Sequence, residues 1–159
     1  MNGKKIFLIN ALQNDIDAIT QIYEKLTKSL EQDSSDIDEL EDILIVRSYH
    51  LHSIYTAFEN VFQNVATVFE NSVDQPGRWH AQLLERMQMD MSPMRPAVID
   101  KQAYKALDEL RRFRHMFRHA YTVELDDDRL GLVIKQAQNL QKIYKSQLET
   151  FLNFVETLD

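Results

Sequence analysis

Apolar positions recur every three or four residues from Ile9 through Leu12, Ile16, Ile19, Tyr23 and Leu26 to Leu30. That spacing is the period of one helical face, and it predicts an amphipathic helix with a single stripe turned to a core. The polar run "EQDSSD" (31–36) interrupts it. Asp36, with Glu39 three residues on, reads as an N-cap in a variant of the capping box. A long second helix is expected through Leu40, Leu44, Leu51, Ile54, Phe58, Val61, Val65 and Val68, ending at "SVDQPG" (72–77). A short helix follows at "RWHAQLLERMQ" (78–88), then a loop at "MDMSPMRPAVID" (89–100) with Pro93 and Pro96. The next helix is expected over about 97–121. "ELDDD" (124–128) reads as a turn whose aspartates suit the positive end of a last helix, about 127–157. The pattern predicts an all-α fold, a four- to five-helix bundle.

Composition supports this reading. Only three glycines and three prolines occur in 159 residues, so little breaks the helices. A chain of this length is expected to make a single domain, 1–159, with a substantial core. The absence of cysteine excludes disulfides and thiolate metal sites and fits a reducing, cytoplasmic setting. The apolar run near the N-terminus is too short for a secretory segment, and no run approaches the roughly 18 apolar residues that span a bilayer. A soluble cytoplasmic protein without a membrane partner is expected.

Charge changes the picture. The net charge of −7 argues against a general nucleic-acid binder, yet the cations are not spread evenly. Residues 101–121 hold Lys101, Lys105, Arg111, Arg112, Arg114 and Arg118 against Asp108 and Glu109, a local +4, which leaves −11 on the other 138 residues. On a helical wheel the groups Arg111, Arg112, Arg114, His115, Arg118 and His119 fall within roughly 160° of arc. Ala106, Leu110, Phe113, Phe117 and Ala120 fall on the opposite side. The aromatics therefore read as core and the cations as a separate face. On that phase Arg114→Ala should spare the fold, whereas Phe113→Ala or Phe117→Ala should cost about 3–5 kcal/mol if fully buried.

An ordinary exposed helix alternates charge sign, but no acid lies between Arg111 and Tyr121. Unrelieved cations repel, so this face is expected to meet an anion. Phosphate suits it, because arginine grips phosphate through two parallel hydrogen bonds. Acidic side chains of another helix or a second subunit are the competing occupant. Histidine adds proton transfer near neutral pH. A histidine that activates a ribose 2′-hydroxyl, beside arginines that stabilise the charged phosphorus centre, would cleave RNA without a metal.

The spacing Arg114, four residues, His119, one residue, Tyr121 in "RHMFRHAY" resembles the R-x4-H-x-Y motif of the HEPN superfamily, and within it the HepT-like ribonuclease toxins. The likeness extends over "LDELRRFRHMFRHAY", the "VELD" after it and "WHAQLLERM" upstream. The resemblance implies a HEPN-type bundle that forms a homodimer, with two motifs meeting in a shared ribonuclease cleft. It implies Arg114 on phosphate, His119 as general acid or base, and Tyr121 as the residue that a partner minimal nucleotidyltransferase antitoxin adenylylates to silence the toxin. Arg111, Arg112, His115 and Arg118 would support the cationic face. His115 stands where many HEPN ribonucleases have another polar residue, often asparagine. Arg112 and His119 fit a longer spacing, but Arg114 alone fits together with Tyr121. The alternative within the same resemblance is a non-catalytic module that binds a nucleotidyltransferase and its nucleotide.

Other candidates are weaker. His50 and His52, two apart on one helix, cannot share a face and read as structural. His80 beside Trp79 is compatible with a site, an interface or neither. His115 and His119 have metal-ligand spacing, but four arginines would repel a cation and no Glu-x-x-His pair occurs. No metal site is expected, and no glycine-rich phosphate loop or cofactor fingerprint is present.

Overall fold

The computed structural model describes residues 2–71, 77–119 and 126–159. Among them are six helices: α1 (Asn2–Leu30), α2 (Ile37–Phe69), α3 (Trp79–Met87), α4 (Lys101–His119), α5 (Asp127–Gln141) and α6 (Tyr144–Glu156). The all-α class expected from the pattern is what folds.

The first stripe buries Leu8, Leu12, Ile16, Ile19, Tyr23 and Leu26, with Ile9 and Leu30 at its edges. α2 returns antiparallel to it. Arg47 donates to the Ser29 carbonyl, while Asn60 donates to Asp15 half a helix further on. Asp36 caps α2 as expected, its carboxylate accepting from the backbone N–H groups of Asp38 and Glu39. The return bond of a capping box runs through Ser34 instead. Its hydroxyl accepts from Asp36 N–H and donates to Glu39. α2 ends where Asn71 turns left-handed (φ 50°), a conformation asparagine tolerates better than most residues.

α4 packs on α2 and α5, and α6 lies antiparallel to α1. At the centre Tyr144 stacks on Tyr23 (5.4 Å between rings) and meets Phe58 edge-on (5.6 Å). Both tyrosines satisfy their hydroxyls, Tyr23 on the Ala137 carbonyl and Tyr144 on Thr20. Buried tyrosine therefore adds apolar area without leaving an orphan polar atom.

The expected last helix is two segments. Ile143 departs to φ −124°, and its N–H bonds the Leu140 carbonyl one residue short of helical register. No proline or glycine marks that step, and nothing in the local sequence explains it. The α3–α4 loop is rigidly tied. Arg95, with its side chain wholly buried, reaches Glu70 at the end of α2 (2.6 Å) and the carbonyls of Arg86, Met89 and Pro96. Asp100 then accepts from the Ala103 N–H and starts α4.

Candidate functional site

α4 buries Ala103, Ala106, Leu107, Leu110 and Phe113, so its core phase is the expected one. Phe117 is only half-buried, stacked on Phe113 at 6.0 Å, and its truncation should cost less than that of Phe113. Arg114 departs further from expectation. It is buried in the core edge rather than held away from the apolar side. The reason lies on α2. Glu59 sits on the stripe of Tyr55, Phe62 and Ala66, and its buried carboxylate meets the Arg114 guanidinium at 3.2 Å. Thr56 accepts from the same nitrogen (3.3 Å), and the guanidinium lies 5.1 Å from the centre of the Tyr55 ring. Burial, with Glu59 nearby, pushes the Tyr55 hydroxyl far above its usual range, so it stays protonated.

Glu59 uses its other oxygen as well. It takes His80 Nδ1 of α3 at 2.7 Å, so one buried carboxylate bridges an arginine and a histidine from two further helices. His80 packs against Trp79 with ring centres 3.7 Å apart. Glu59 was missed from the sequence, although a carboxylate on an otherwise apolar stripe signals a buried cationic partner.

Arg111, Arg114, His115, Arg118 and His119 of α4 line one cavity of about 320 Å³, together with His80 and Gly77. Among the described residues no carboxylate lines it. His115 and His119 lie side by side, ring centres 4.5 Å apart, as their four-residue spacing requires. Arg111 is steered by Asp108 (2.9 Å) one turn back, while Arg118 forms no ion pair among the described residues. Arg112 is not brought to the cavity. It pairs with Asp108 (3.0 Å) and its side chain is 64% exposed. Acids one turn earlier on α4 thus relieve two of the arginines, which a reading restricted to 111–121 does not reveal. Tyr121 lies outside the described residues.

His52 also approaches this cluster, its ring 6.1 Å from Phe117. Burial first, then the charges of Arg114 and Arg118, hold its imidazole below the usual value of 6.5. The unfolded chain therefore takes up this proton more readily than the folded one. Its contribution is present above the unfolded value and is lost as pH falls from about 6.5 through the lower folded value. His52→Gln is expected to flatten the fall of melting temperature over that acid range, and an unchanged slope would place the effect elsewhere.

Among the described residues no helix is long and apolar enough to cross a membrane. No curated protein and no solved structure matches the chain. A family model described as HepT-like protein does match, over residues 47–155, which takes in the buried Glu59, His80 and the whole of α4. That match covers well over half of the sequence, and the chain belongs to the HepT-like family of HEPN proteins.

Proposed function

We propose that the protein is a metal-independent endoribonuclease, the toxin of a toxin–antitoxin pair, acting in the cytoplasm as one domain over 1–159. The observation that carries this reading is the cavity in which arginines and histidines converge, with no carboxylate among the described residues of its wall. Such a wall attracts a phosphodiester and can move protons at neutral pH. Arg114, fixed by Glu59, holds a phosphate oxygen and stabilises charge as the phosphorus centre forms. His119 transfers a proton. Arg111, His115 and Arg118 steer the anion, and Arg112 contributes only through the long-range field.

The active unit is a homodimer. Ile45, Val46 and Tyr49 are exposed on α2, within roughly 100° of arc on the side that carries His52 and Thr56 toward α4. A two-fold contact over these apolar side chains would set two cationic cavities beside one another. Light scattering at micromolar concentration should give twice the chain mass.

A minimal nucleotidyltransferase silences the enzyme by adding adenylate to Tyr121, placing a phosphate-bearing group near the cationic wall. Purified protein is expected to cut single-stranded RNA in the presence of a chelator, and His119→Ala to lower the rate by about 10²–10⁴-fold. Tyr121→Phe should keep most of that activity yet gain no adenylate mass on co-expression with such a partner. Stable binding to the nucleotidyltransferase without any cleavage by the wild type would favour the non-catalytic module instead.

A further inference from the structure

Proton transfer to and from RNA calls for two groups, one to take the 2′-hydroxyl proton and one to give a proton to the departing 5′-oxygen. The motif helix supplies His119. A two-fold site would borrow the second group from the partner chain, but His80 of α3 lines the same cavity of the same chain. Its Nδ1 is held 2.7 Å from Glu59, whose carboxylate is nearly excluded from solvent. An ionised carboxylate only accepts, so Nδ1 carries the proton and Nε2 keeps the lone pair. Arg114 Nη2 lies 3.4 Å from that Nδ1, but a nitrogen donating to Glu59 has no lone pair left for the guanidinium. Nε2 has no hydrogen-bond partner among the described residues. The Trp79 ring, tilted 30° to it with centres 3.7 Å apart, packs against the imidazole.

We propose that His80 is the general base of this site, with Glu59 as its positioning residue and His119 as the acid. This rests on the ribonuclease reading above. His80 Nε2 takes the 2′-hydroxyl proton, and the 2′-oxygen forms its bond to phosphorus. The bond from phosphorus to the 5′-oxygen breaks, and protonated His119 supplies the proton to that oxygen. The products are a 2′,3′-cyclic phosphate and a 5′-hydroxyl, with one proton taken up and one given. Glu59 stabilises the imidazolium that forms, as a buried carboxylate does for a catalytic histidine. It also fixes Arg114 on the phosphate, so one side chain sets the spacing between base and phosphate grip.

The test uses the full-length protein and two RNAs. One has the ordinary scissile linkage, and in the other sulfur replaces the bridging 5′-oxygen, whose thiolate leaves without being protonated. His80→Ala and the bulkier His80→Gln, each shown folded by circular dichroism, are expected to lose about 10²–10⁴-fold on the ordinary RNA. Neither should recover on the sulfur-bridged RNA, whereas His119→Ala should recover there. Added imidazole is expected to restore part of the His80→Ala activity, which a purely structural role would not produce. Wild-type rates in a folded His80 variant, or recovery of His80 variants on the sulfur-bridged RNA, would overturn the assignment and leave the ribonuclease reading standing. A wild type that cuts neither RNA would overturn that reading, and the role of His80 with it.

Discussion

Arg114→Ala is expected to abolish RNA cleavage and, in addition, to cost about 3 kcal/mol of stability. The activity loss follows from the proposed phosphate grip. The stability loss follows from burial, since the Arg114 and Glu59 side chains are 8% and 7% exposed. Removing one member of a buried pair strands the other in a medium that solvates it poorly, which typically costs 3–5 kcal/mol. The lower end applies here because His80 remains on Glu59. Urea titration of wild type and variant measures the difference. The double variant Glu59→Gln/Arg114→Met removes both charges, so it should regain most of the stability while staying inactive. Wild-type stability in Arg114→Ala would show that the pair carries no weight in the fold.

Periodicity located α1 and the core side of α4, because burying a stripe of Leu, Ile and Phe is a one-dimensional signal. Asp36 was legible as a cap for the same reason, its partners being two and three residues away. The wheel also separated the cations of α4 from its aromatics. It could not say which cation would be buried, since that depends on what α2 presents 55 residues earlier in the chain. Arg114 stands at the border of the apolar arc, where a facing apolar residue would have turned it outward and a facing Glu59 draws it in. His80 was ambiguous on similar grounds, because its meaning comes from Glu59 and the cavity rather than from Trp79 beside it. The reading of His50 and His52 as structural does not reveal the approach of His52 to Arg114 and Arg118, which again is a contact between helices. The break at Lys142–Ile143 left no mark at all.

The same dependence on distant partners makes Arg95 the second sensitive point. It lies in a loop between two prolines, where sequence alone suggests an exposed cation, yet its side chain is wholly buried. Arg95→Met keeps much of the volume but removes the donor to Glu70 and to the carbonyls of Arg86, Met89 and Pro96. The loop joins α3, which carries His80, to α4, which carries Arg114 and His119. It is also tied by the bonds from Val98 and Ile99 N–H to the Met87 carbonyl and from Asp100 N–H to Gln147 of α6. The expected loss is about 3–5 kcal/mol, which in a chain of this size lowers the melting temperature by roughly 10 °C. Arg86→Met is the matching control. Arg86 contacts the same Glu70 at 3.0 Å, but its side chain is 31% exposed against none for Arg95, so less desolvation is at stake. Its loss should cost no more than about 1 kcal/mol. Equal effects of the two substitutions in thermal melts would mean that burial of Arg95 does not set its contribution. With the expected order, cleavage by Arg95→Met measured well below its melting point should still fall, because Arg95 ties α3 and the end of α2 to the loop that leads into α4, and so helps set where His80 sits relative to His119.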